Sequence, residues 1–172
     1  MPEREAKFTV NAPPNELWKF IRDFQSLCTC IPGVERIHLV DHRTAELTVR
    51  EKVGVVPLIV NLTAQIDSEE PPRRLHATAK AEHLTLAIDV TLRAAGAGTE
   101  LHSRFNVKGE GPLKPIVDRL FERRATERTA QFGQCLEKRF AGAPAAAPPP
   151  GWLSRIWRRL RRFFSGPSRP SS

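Results

Sequence analysis

Between residues 34 and 107 apolar side chains recur at every second position, in one short segment after another. Val34 to Val40, Ala45 to Val53, Leu58 to Ile66, Leu75 to Ala81, Leu84 to Leu92 and Leu101 to Val107 each read as a strand. The clearest is the third, where Leu58, Val60, Leu62, Ala64 and Ile66 alternate with Asn61, Thr63 and Gln65. Turn chemistry separates the segments, as at Glu69-Glu70-Pro71-Pro72 and Ala95-Gly96-Ala97-Gly98. A period of two puts all the apolar groups of a strand on one face, so these segments predict an antiparallel sheet with one buried and one wet side.

Helical spacing brackets this block. After a first strand at Lys7 to Val10, Pro13, Pro14 and Asn15 open a helix. Leu17, Phe20, Ile21 and Phe24 then fall at i, i+3, i+4 and i+7. A further turn from Gln25 to Cys30 stops at Pro32-Gly33. At the other end Pro112 to Phe140 reads as one long helix, with its prolines confined to the first turn. Leu113, Ile116, Val117, Leu120, Phe121, Phe132, Cys135 and Leu136 form its apolar side, and Arg124, Arg128 and Gln131 lie near the same side. Arg123 and Glu127 are spaced as an i,i+4 ion pair. The class is α+β.

The remaining segments differ in composition. Residues 141–150, AGAPAAAPPP, offer little to bury, and their prolines favour an extended form reaching up to roughly 30 Å. They separate a body, 1–140, from a tail, 151–172. On an ideal helix Trp152, Leu153, Ile156, Trp157, Leu160, Phe163 and Phe164 fall within roughly 140° of arc, and Arg155, Arg158, Arg159, Arg161 and Arg162 fill the rest. A helix about 20 Å long is too short to cross roughly 30 Å of hydrocarbon, so the tail is expected to lie in the interface of an anionic membrane. A helix docked in a partner's groove, or a core helix of this protein, is the alternative, and the proline linker argues against docking on its own body.

Charge and cysteines bound the function. The 172-residue chain has a formal charge of +8. Removing the tail's six arginines leaves +2 for residues 1–150. Basic character is therefore local, and a nucleic-acid partner is not expected. Cys28, Cys30 and Cys135 are an odd number without framework spacing, which points to a reduced, cytosolic compartment. The N-terminus has no apolar run of a signal peptide, and no stretch is long enough to span a bilayer. Cys28 and Cys30 lack the further ligands of a zinc site, so no metal is expected. His38 and His42 sit on a strand and turn, and the histidines form no catalytic constellation. Asp89 falls on the wet face.

Three segments carry a resemblance. Ala12-Pro13-Pro14-Asn15-Glu16-Leu17-Trp18, Cys30-Ile31-Pro32-Gly33-Val34-Glu35 and Val53-Gly54-Val55-Val56 resemble the CoxG family, the G-subunit family of carbon monoxide dehydrogenase. This is a branch of the START-like, or SRPBCC, superfamily, and the resemblance covers roughly residues 3–140. Gly109-Glu110-Gly111-Pro112 and an arginine-rich last helix depart from the pattern. The resemblance implies a helix-grip fold, a curved antiparallel sheet wrapped around a long C-terminal helix, with an apolar cavity between them. It also implies a non-enzymatic protein, peripheral on the inner face of the cell membrane. Such a protein handles a quinone such as menaquinone, or another lipid, and serves a molybdenum-containing dehydrogenase. A membrane assembly adaptor without ligand and a polyketide-cyclase-like enzyme are the alternatives, although the inward positions offer no acid–base pair.

On that reading Leu58, Val60, Leu62, Leu86, Ile88, Val90, Phe105, Ile116 and Leu120 would line the cavity; otherwise they fill a core. Ala77, Ala79 and Ala81 are small and leave room. Arg124, Arg128 and Gln131 could donate hydrogen bonds to a quinone carbonyl, or reach past the sheet to water.

Overall fold

The computed structural model describes residues 3–141. The expected linker beyond Ala141 and the amphipathic tail lie outside the described residues. The chain forms strand β1 (Glu3–Val10), helices α1 (Pro14–Arg22) and α2 (Phe24–Cys28), and strands β2 (Val34–Leu39), β3 (Thr44–Val53), β4 (Val56–Glu70), β5 (Arg74–Ala81), β6 (Leu84–Ala95) and β7 (Gly98–Gly109). A single 3-10 turn leads into helix α3 (Lys114–Phe140). Seven strands make one antiparallel sheet in the order β1-β7-β6-β5-β4-β3-β2, curved around α3. β1 closes onto β7 after the whole meander, which is why the first and last strands are neighbours. This is the helix-grip fold expected from the strand pattern and the resemblance.

The strands run longer than their apolar alternation. β4 spans 15 residues, because backbone pairing continues past the last buried side chain into Asp67, Ser68, Glu69 and Glu70. Pro71-Pro72, with a cis bond, turns the chain into β5.

Apolar packing is densest where α1 meets the second half of α3. Leu17, Trp18, Phe20 and Ile21 are buried. They pack in one cluster with Val10, Ile66, Leu75, Leu92, Leu101 and Leu136. Trp18 belongs to this core although the helical stripe read from sequence omitted it. Phe132 meets the Phe8 ring edge-on at 5.7 Å, and Phe140 meets Phe20 at 5.6 Å. A β-carbon at Gly133 would sit 2.7 Å from the Phe8 ring, so only glycine lets that ring lie on the helix. Arg22 clamps the same end, with Nε 2.6 Å from Glu69 and a hydrogen bond from Nη1 to the His42 carbonyl.

Two expectations are corrected here. Cys30 and Cys135 form a disulfide across 105 residues of chain, with Cα atoms 5.4 Å apart. The cysteines are thus a pair plus one free thiol, and the cysteine argument for a reduced compartment falls away. Spacing along the chain could not show this, because the fold alone brings α3 beside the end of α2. Secondly, Glu127 pairs with Arg124 at 2.9 Å, one turn back, rather than with Arg123.

Candidate functional site: the concave face of the sheet

Register decides which side chains share the inner face. Across the sheet Leu47 lies opposite Leu62, Val49 opposite Val60, and Ala64 opposite Ala79. Ala79 in turn faces Leu86, Ala77 faces Ile88, and Ile88 faces Phe105. The predicted lining residues of β4, β6 and β7 are therefore brought onto one concave surface. Leu58, Val60, Leu62, Leu86, Ile88, Val90, Phe105 and Leu120 are all half-buried, and Ile116 is 41% exposed. None is sealed as Leu136 is, at 1%. The reason is the seat of the helix. α3 comes closest to β7 and β1, on one side of the sheet, and leaves the inner face of the middle strands less covered.

The polar residues of α3 divide. Arg124 bonds Glu127 on the helix's own surface. Arg128 turns inward and reaches Glu51 of β3. Glu51 lies opposite Leu58, on the concave side. The inward positions thus include an acid, Glu51, which the inward set read from sequence left out. Counting by twos from Leu47 and Val49 puts Glu51 on that face, so the signal was present in the sequence. Both side chains are under one-third exposed, and the buried Nε of Arg128 has no hydrogen-bond partner. Such a donor is costly to leave unmet and can take an acceptor from a guest.

The Cys-Ile-Pro-Gly segment closes over this pair. Gly33 has φ +89°, and a β-carbon there would meet the Arg50 carbonyl at 2.8 Å. The Arg50 N–H donates to the Gly33 carbonyl at 2.8 Å, pinning the turn to β3. The Cys30–Cys135 bond fastens the other side to α3. Between them lies a cleft of about 420 Å³, lined by Thr29, Cys30, Ile31, Pro32, Arg128, Gln131 and Cys135. Gln131, one of the predicted polar handles, stands at its exposed edge. A second cleft, about 570 Å³, opens along β2, β3 and β4 and includes Leu62.

Cys28 does not act with its neighbours. Burial pushes its thiol up to about 11, away from the reactive thiolate. Cys30 is engaged in the disulfide, so the C-x-C pair offers no joint ligand set. Among the described residues no three His, Cys, Asp or Glu side chains are placed to hold a metal ion together.

The convex face is a charge ladder. Arg104 bonds Glu5 at 2.9 Å and sits opposite Asp89 in register. Asp89 Oδ1 lies 2.7 Å from His76 Nδ1, and Thr78 donates to Asp67 at 2.6 Å. The Arg104 guanidinium holds the Glu5 carboxyl below its ordinary range. Asp89 is exposed, as its outward position predicts, and pairs with His76. An outer surface so charged faces water and leaves the inner face as the apolar one.

An antiparallel sheet gripping one long helix, with a half-buried apolar inner face, defines a START-like helix-grip protein. Residues 6–141 match the model of the carbon monoxide dehydrogenase G subunit, CoxG, and the chain belongs to that family. Solved structures agree on the fold. A conserved protein from Geobacillus kaustophilus is 15% identical with a TM-score of 0.65, covering 81% of this chain and 93% of its own. A Thermus thermophilus protein is 16% identical at a TM-score of 0.63, over 83% and 99%. A START superfamily protein from Mycobacterium smegmatis is 12% identical at 0.63, over 79% and 97%. No curated protein matches the chain.

Proposed function

We propose that the protein is a non-catalytic carrier. It holds a hydrophobic molecule with a polar ring, a quinone such as menaquinone, on its concave face. It passes that molecule between an anionic membrane surface and a molybdenum-containing dehydrogenase. Family membership supports an accessory role beside a carbon monoxide dehydrogenase-like enzyme. The observation that carries the ligand half is an apolar face left half-open beside the inward Arg128, whose Nε lacks a partner. An isoprenoid chain would replace water on Val60, Leu62, Leu86, Ile88 and Phe105, while a ring carbonyl accepts from Arg128 or Gln131. Burial of apolar area drives such binding at about 25 cal/mol per Å². The tail, with Trp152, Trp157 and its arginines, keeps the carrier at the lipid surface and raises the local concentration of both sites.

Full-length protein extracted gently from membranes and analysed by mass spectrometry should carry a quinone or lipid in near-stoichiometric amount. A folded preparation with no such passenger would reject the carrier.

Glu51 favours one second reading, an enzyme of the cyclase kind, since it places an acid on the inner face. Its carboxylate is engaged by the Arg128 guanidinium, however, which leaves it poorly placed for proton transfer. Glu51→Gln should leave the bound passenger chemically unchanged in mass. Accumulation of a precursor in that variant would support the enzyme instead.

A further inference from the structure

β3 and β4 outrun their neighbours. β2 pairs with β3 only as far as Val49, and β5 pairs with β4 only from Thr63. Beyond the Arg50–Gly33 hydrogen bond residues 51–61 run on as a two-stranded arm, roughly 10 Å past it at 3.3 Å per residue. Gly54, with φ +65° and open space around it, turns the tip together with Val55. Glycine at the first place of a two-residue turn suits a type II′ hairpin.

The tip is apolar and bare. Val55 is 96% exposed, Val56 61%, Ile59 55% and Val53 37%. These are four of the seven exposed large hydrophobics among the described residues, and a fifth, Ile116, lies in the first turn of α3 at the same end of the sheet. Single exposed apolar residues mean little, but a cluster on a projecting tip marks a contact surface. Charge says which kind. From Lys52 to Ile66 the chain has no acidic residue. Lys52 stands just behind the tip; Arg50, two residues further back, is paired with Glu35 at 2.6 Å, and Glu51 is turned inward onto Arg128. The apolar residues also continue, through Val56, Leu58 and Val60, onto the concave face itself.

We propose that the tip of the β3–β4 arm enters the headgroup layer of an anionic membrane and makes a continuous apolar path from the bilayer to the concave face. A narrow convex tip can bury little area against another protein, whereas lipid closes around it. Lys52, next to the apolar residues, would meet the phosphates. Insertion is shallow, because the outer edges of a two-stranded ribbon carry unpaired backbone groups that hydrocarbon cannot satisfy. The proposal deepens the membrane half of the function proposed above and rests on it.

The test uses the full chain with Val55→Trp, and Trp152→Phe with Trp157→Phe to silence the tail while keeping its apolar bulk. The same chain without Val55→Trp supplies the background of buried Trp18. Vesicles are phosphatidylcholine with about one-third phosphatidylglycerol and brominated acyl chains, a content that gives the cationic contacts their partner. The added emission should fall at least twofold on binding. In the native-tail chain, Val55→Glu with Val56→Glu should weaken partitioning about tenfold, the loss of two part-buried side chains. Full quenching with no quinone in the membrane-extracted protein would keep the arm and reject the carrier. A Val55→Trp chain that pellets with its added emission unquenched overturns the arm alone; one that does not pellet overturns arm and tail together. A dimer in the absence of vesicles that Val55→Glu dissolves, with no quenching, would assign the tip to a second copy and also overturn the proposal.

Discussion

The two ends of α3 are packed by different rules. At the end near α1, Leu136 belongs to a buried cluster drawn from α1 and five strands, ring edges interlock, and glycine at 133 admits the Phe8 ring. At the other end Ile116 and Leu120 stay partly exposed, and the β3–β4 tip extends past its neighbours β2 and β5. Both ends are apolar in sequence. The difference is whether a second element arrives to finish the burial. One end is a sealed core, and the other leaves apolar surface partly open.

This contrast can be broken by mutation, most strongly at the sealed end. Leu136→Ala should cost about 2–5 kcal/mol in urea unfolding, and Leu120→Ala no more than about 1 kcal/mol. Equal losses would mean that the open end is a packed core after all. Gly133→Val should cost about 1–3 kcal/mol, since its branches must displace the Phe8 ring, with a lowered Tm as the readout.

At the boundary, Arg128→Ala leaves Glu51 facing inward without its cation. Partial exposure softens the penalty to about 1–2 kcal/mol, below that of a fully buried pair. Arg124→Ala, at a surface pair, should change stability by less than about 0.5 kcal/mol. If the two arginines behave alike, the inward ion pair is not formed in solution.

The smallest effect concerns pH. Asp23 accepts hydrogen bonds from Ser26 Oγ and the Gln25 N–H at the start of α2, and the Ser26 bond above all holds its carboxyl below the usual range. A depressed folded pKa means that the stabilisation is present above the ordinary Asp value, about 3.9, and is lost as pH falls through the folded value. Asp23→Ala should therefore cost about 0.5–2 kcal/mol at neutral pH. The gap to wild type should narrow in strong acid; a gap independent of pH would remove the charge from the account.

Much of the fold was legible in the residues themselves. Alternation located six strands to within a few residues, and counting by twos assigned the inner set Leu58, Val60, Leu62, Leu86, Ile88 and Val90 to one face, as the register shows. Strand ends were less legible, since β1 begins at Glu3 and β7 runs to Gly109 on backbone pairing that exposed side chains do not betray. Glu51 is legible by parity, two places after Val49 and four after Leu47. The Cys30–Cys135 bond was not legible, because proximity between residues 105 apart exists only once the sheet has curled and α3 has crossed it.

The chain alone settled the periodicities, and through them the kinds of element, their order and which side chains share a face, because those follow from local backbone geometry. How far each face is covered was decided only in three dimensions. Coverage depends on where α3 lies across the sheet, how strongly the strands bend, and which strands outrun their partners. These are properties of long-range packing, and they separate a filled core from a surface held open.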